Sequence, residues 1–174
     1  MNDLTRKAVN VLLFQAAWFA AVLGAARGMP WLGPLVMIPT LAVHLALQKN
    51  RQGEVKLLLA AGVLCFIFDT AFVAGGVFTP LQHLFPRPLS PPWMICLWLN
   101  FAATLNISMV WLRGRYLLAA LFGAIGGPLA YYSGARMGAT DALPTSTGLL
   151  LLAIGWGAMT PLLVMLARVC TKNS

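Results

Sequence analysis

The sequence predicts an all-α fold: an integral membrane bundle of six transmembrane helices with both termini in the cytoplasm. Three observations lead there. Of 174 residues, 60% are hydrophobic and 9% charged, against about 25% charged in an ordinary soluble domain, and the mean hydropathy is +0.81. The apolar residues fall into six runs, each close to the roughly 20 residues that cross a bilayer. The 12 basic residues sit at the ends of those runs. Nine lie on the side of the termini (Arg6, Lys7, Lys49, Arg51, Lys56, Arg113, Arg115, Arg168, Lys172) and three lie opposite (Arg27, Arg87, Arg136). Positive loops stay in the cytoplasm. The whole chain, residues 1–174, therefore reads as one transmembrane domain. A net charge of +8 would suggest nucleic acid in a soluble protein. Here it reads as topology signal and contact with anionic lipid, and nucleic acid is excluded as a partner.

The first span covers about 8–26, behind Arg6 and Lys7. Gly24-Ala25-Ala26 resembles a signal cleavage site, but the apolar run exceeds the usual signal core of about 7–15 residues. Gln15, its most polar residue, reads as structural. The second span covers about 30–47. Pro30 suits a helix start, whereas Pro34 and Pro39 predict a kink or irregular first turns. His44 near its end reads as packed or interfacial, and Gln48 to Glu54 as a polar loop. The third span, about 56–78, holds Asp69, the one acid placed inside an apolar run. The proline-rich stretch TPLQHLFPRPLSPP at 79–92 predicts an extended, partly interfacial loop with a solvated His83.

The fourth span, about 93–112, belongs to WMICLWLNFAATLNISMVWLRGR. Asn100, Thr104 and Ser108 recur every four residues, which puts them on one face of a continuous helix. Arg113 and Arg115 anchor its cytoplasmic end. The fifth span, about 116–133, carries Gly123 and Gly127 at the spacing that lets helices approach closely. Gly126, Gly127 and Pro128 predict a break or kink within the membrane. The sixth span covers about 145–167 and holds Trp156 and Thr160. Trp31, Trp93 and Trp111, near span ends, read as interface anchors; Trp18, Trp98 and Trp156 read as internal.

An acid in a spanning helix costs roughly 2.5–3.5 kcal/mol on insertion scales, so Asp69 asks for a partner. At about 1.5 Å of rise per residue, Asp69 and Asn100 both lie on the order of 10–14 Å below the outer boundary. Pro128 and Tyr131 fall in the same half. A polar intramembrane cluster of Asp69, Asn100, Thr104 and Tyr131, roofed by the proline-rich loop, is the expected site. Two histidines and three dispersed cysteines make neither a metal site nor a disulfide framework. No Ser-His-Asp set and no phosphate loop stands at suggestive spacing. No metal or cofactor is expected, and no catalytic residue is assigned.

PPWMICLWLNFAATLNISMVWLRGR at 91–115 and GAIGGPLAYYSGARMGA at 123–139 resemble the bacterial domain-of-unknown-function 2878 family. The Asp69 helix and the length fit as well. The resemblance implies a small protein of the Gram-negative inner membrane with no settled activity and no catalytic residues to carry over. It also implies an association with fatty-acid modification, because relatives lie near genes of that kind. Three readings follow. One is a component of membrane lipid or fatty-acid modification, with Asp69, Asn100 and Tyr131 lining a pocket reached from the outer leaflet. Another is a small proton- or cation-coupled transporter with Asp69 as the coupling site. The last is a structural or assembly subunit whose small-residue faces meet a membrane-protein partner or a second copy. Membrane lipids are the expected partners in the first.

Overall fold

A computed structural model describes residues 2–172. Six α-helices follow in order: α1 (Asp3–Ala26), α2 (Leu32–Ala46), α3 (Arg51–Ala74), α4 (Pro92–Ala102), α5 (Tyr116–Arg136) and α6 (Ser146–Lys172). α1, α3, α5 and α6 are each long and apolar enough to cross a membrane. α2 and α4 are shorter apolar helices of 15 and 11 residues. The helices are those of a membrane protein.

Local chemistry sets the starts. The Asn2 side chain accepts from the Thr5 amide at 2.7 Å, and Asp3 in the first turn of α1 pairs with Lys7 at 2.7 Å. Both satisfy the positive end of a helix. Asn50 caps α3 by accepting from Gly53 N at 2.8 Å. α3 therefore begins at Arg51, and Glu54 lies in its first turn, not in the loop that its polarity suggested. α4 opens on Pro92, where the absent N–H costs nothing.

Neither Pro39 nor Pro128 interrupts its helix. α2 runs helically through Pro39, with Thr40 Oγ1 donating back to the Val36 carbonyl at 2.9 Å. α5 runs helically through Gly126, Gly127 and Pro128. Its glycines serve packing: a β-carbon on Gly127 would strike the Trp156 indole, and one on Gly123 would strike Thr160 and the Trp156 carbonyl. α5 and α6 accordingly form the most extensive helix pair of the bundle.

The break occurs where continuity was expected. The helix predicted over 93–112 ends at Ala102, and residues 103–109 form successive turns before a 3₁₀ turn at Val110–Leu112. Side chains hold the backbone here. The Phe101 carbonyl accepts from Thr104 Oγ1 at 2.6 Å and the Ala103 carbonyl from Asn10 Nδ2 at 3.1 Å. Ser108 Oγ donates to Asn10 Oδ1 at 2.7 Å. Such bonds compete with the helical ladder. Residues 101–105 are buried, as irregular backbone at membrane depth requires.

The turn after α2, the turn before α5 and the end of α6 share one end of the bundle, since Asn50 Nδ2 donates to the Thr171 carbonyl and Arg113 to Thr171 Oγ1, both at 3.4 Å. At the opposite end the loop after α3 pairs with the loop after α5. Leu81 N donates to the Ala139 carbonyl at 2.9 Å and Asp141 N to the Thr79 carbonyl at 3.0 Å. Trp93 is buried rather than interfacial, and its indole donates to the Leu81 carbonyl at 3.2 Å, pinning this roof. Around the bundle α5 packs on α6, α6 on α3, α3 on α4, α4 on α1 and α2, and α1 on α2. The ring stays open between α1 and α5.

Candidate functional site

The opening between α1 and α5 is a groove of about 500 Å³, within the roughly 300–1,000 Å³ of ordinary ligand sites. One wall is α1, from Val11 through Phe14, Gln15 and Trp18 to Val22. The other is α5, from Phe122 through Gly123, Gly126, Gly127 and Ala130 to Tyr131 and Gly134. Trp93, Leu97, Trp98 and Phe101 of α4 and Trp156 and Thr160 of α6 form the floor. From Val11 to Val22 the groove extends about 16 Å along the helix axis. That exceeds half of a hydrocarbon core of roughly 30 Å. The lining is overwhelmingly apolar, and Gly126 opens it further because a β-carbon there would meet no atom within 4 Å.

Asp69 lies in the floor, 1% exposed. Tyr131 Oη donates to its Oδ1, and Trp98 Nε1 donates to its Oδ2 at 2.8 Å. Three helices thus meet at one carboxyl group, and both oxygens have a donor. Trp98 stacks face to face on Trp156, with centroids 3.9 Å apart and planes 9° from parallel. Phe78 meets the Tyr131 ring edgewise at 4.8 Å. This aromatic packing fixes the phenol and both indoles, so the carboxyl group is rigidly held in the groove wall. Asp69 and Tyr131 lie five residues before the ends of their helices, about 8 Å below the roof.

The expected cluster is therefore assembled only in part. Asp69 and Tyr131 come together. Thr104 reaches the groove, but its hydroxyl bonds to its own backbone. Asn100 does not join. It is 1% exposed, and its Nδ2 donates to the Phe14 carbonyl of α1 at 2.8 Å. Asn100 and Trp98 are two residues apart, so they point to nearly opposite sides of α4 at 3.6 residues per turn. With Trp98 turned to Asp69, Asn100 turns to α1. Ser108 leaves the proposed common face because the helix ends before it. Trp98 was the missed partner; an indole N–H inside an apolar helix needs an acceptor, and Asp69 was the acceptor at hand.

A second buried polar set lies toward the end that carries the termini. Glu54, 1% exposed, meets His44 Nε2 at 3.1 Å through Oε2 and accepts from Asn106 Nδ2 at 2.6 Å through Oε1. Arg113 donates to Asn106 Oδ1. Asp69 is thus one of two buried acids. Arg113 is tied into the bundle, while Arg115 stays exposed. The N-cap signal at Asn50 could have placed Glu54 inside the helix. His83 is half-buried, not solvated. Burial, and then the neighbouring Arg87, hold its pKa below the ordinary 6.5, against a smaller opposite pull from Asp141 and the Pro80 carbonyl. Among the described residues no group of three metal-ligating side chains gathers.

A family model described as a protein of unknown function (DUF2878) matches residues 7–162. Among curated proteins and solved structures, none matches the chain.

Proposed function

The chain belongs to the DUF2878 family, and we propose that it binds the acyl chain of a membrane lipid in the groove between α1 and α5, as a component of membrane lipid or fatty-acid modification. One observation carries this reading. The groove is lengthwise, apolar and laterally open, with the rigid Asp69–Tyr131 pair set in its wall. An acyl chain lying along the bilayer normal matches that shape, and apolar lining discriminates it from polar solutes. The pair sits at the depth where the carbons nearest a headgroup would lie and fixes the shape of the groove there. Both Asp69 oxygens are already engaged by protein donors, which favours this reading over a carboxylate that loads and releases a transported cation. The excess of basic residues on the terminal side supports insertion in a bacterial inner membrane with both termini in the cytoplasm.

The test is photolabelling in native membranes with a fatty acid bearing a diazirine along its chain, followed by peptide mapping. Labels should concentrate on Val11–Val22 and Phe122–Gly134. Gly126→Leu, which fills the groove, should remove most of them. Labels spread evenly over the outward faces of all helices, unaffected by Gly126→Leu, would refute the proposal.

A further inference from the structure

The groove holds polar groups that the protein leaves without partners at mid-depth. Gln15 lies eleven residues before the end of α1, about 16 Å below the roof, and faces the groove. The bonds that tie α1 to α4 and the turns after it run through Asn10 and the Phe14 carbonyl. None among the described residues engages the Gln15 amide. Across the groove, Thr160 Oγ1 is buried without a hydrogen-bond partner and its residue is 0% exposed. Thr160 lies fourteen residues into α6, about 21 Å below the roof. The groove thus presents an unused hydrogen-bonding group on each side, about 5 Å apart in depth.

Unsatisfied amide and hydroxyl groups are costly in hydrocarbon, where no water replaces the missing partner. A plain hydrocarbon chain would leave both of them unpaired. An oxygen on the chain between those depths would accept from the Gln15 amide and from the Thr160 hydroxyl, one donor for each of its two lone pairs. We propose that the bound chain carries an in-chain oxygen, as a hydroxyl or an oxo group, held between Gln15 on the α1 wall and Thr160 on the floor. This deepens the acyl-chain reading of the groove and rests on it. It assigns Gln15 and Thr160 to specificity, about 8–13 Å deeper than the Asp69–Tyr131 pair.

The experiment is competition against the diazirine fatty acid, with the protein in lipid nanodiscs of saturated phosphatidylcholine. The competitors are stearate, a mid-chain hydroxystearate and the matching oxostearate. Both oxygenated acids should displace half the label at roughly three- to tenfold lower concentration than stearate, the scale of one hydrogen bond in a membrane interior. Gln15→Leu and the nearly isosteric Thr160→Val should each move that ratio toward one. Equal displacement by all three acids in the native protein would show that water or nothing fills the polar level, and would overturn this inference while leaving the acyl-chain reading intact. A preference that survives in both variants overturns the assignment of these residues. Failure of every acid to displace the label removes the groove reading itself, and this inference with it.

Discussion

Tyr131 of α5 donates its hydroxyl to Asp69 of α3, and Trp98 of α4 closes the other side of the same carboxyl group. Each bond joins two different helices, so each carries packing as well as polarity. Removing one donor leaves an oxygen buried without a partner, which costs about 1–3 kcal/mol. Tyr131→Phe and Trp98→Phe should each lower unfolding free energy by about that much, read by denaturant titration in detergent. In an Asp69→Leu background Tyr131→Phe should be close to neutral. Full additivity of the two changes would show that the bond contributes no coupling.

Gly126 and Gly127 are neighbours with opposite surroundings. A side chain at Gly126 enters open groove, whereas one at Gly127 collides with the Trp156 ring. Gly127→Leu should destabilise by about 1–3 kcal/mol through overpacking, and Gly126→Leu should leave the melting temperature unchanged or slightly raised. Equal losses in the two variants would contradict the wall assigned to the groove.

Glu54 is buried with His44 on one oxygen and Asn106 on the other. Glu54→Leu strands both partners and should lower stability by about 1–3 kcal/mol for each, the cost of a buried polar group left without its hydrogen bond. Arg115→Gln, on an exposed side chain, should change stability by less than about 0.5 kcal/mol. Thermal melts of the two variants side by side decide the matter.

The roof should respond to pH through His83. Its pKa is depressed in the folded chain from 6.5 by burial and by Arg87, so folding disfavours the protonated ring. The stabilising contribution is fully present above pH 6.5 and is lost as pH falls through the lower folded value. Hydrogen exchange across 79–91 should quicken as pH is lowered below 6.5, after correction for intrinsic rates. His83→Gln should flatten that dependence; an unchanged slope would place the sensitivity elsewhere.

The helix order and the paired acid and phenol were both approachable from residues. Apolar run length, capping by Asn2 and Asn50, and the cost of an acid in hydrocarbon are local facts. The face assigned to Asn100, Thr104 and Ser108 failed for a local reason too. Repeating polar side chains at every fourth position also suit a segment whose side chains capture its own carbonyls, and periodicity does not distinguish the two. The GGP stretch contains no interruption of α5, and its Gly127 serves the close packing on Trp156, because glycine suits close packing as readily as a bend.

By itself the sequence determined a helical membrane protein, its succession of helices and the presence of an acid that needs partners. Those follow from hydrophobicity and covalent order. Only the tertiary structure decided that Asp69 meets Trp98 and Tyr131, that Asn100 turns to α1, and that α1 and α5 stand apart over a groove. Lipid tails are as apolar as leucine, so hydropathy marks no difference between a face turned to lipid and one turned to a neighbouring helix. The rotation of each helix about its axis is set by side-chain packing, and the groove with its polar floor exists only once those rotations are fixed.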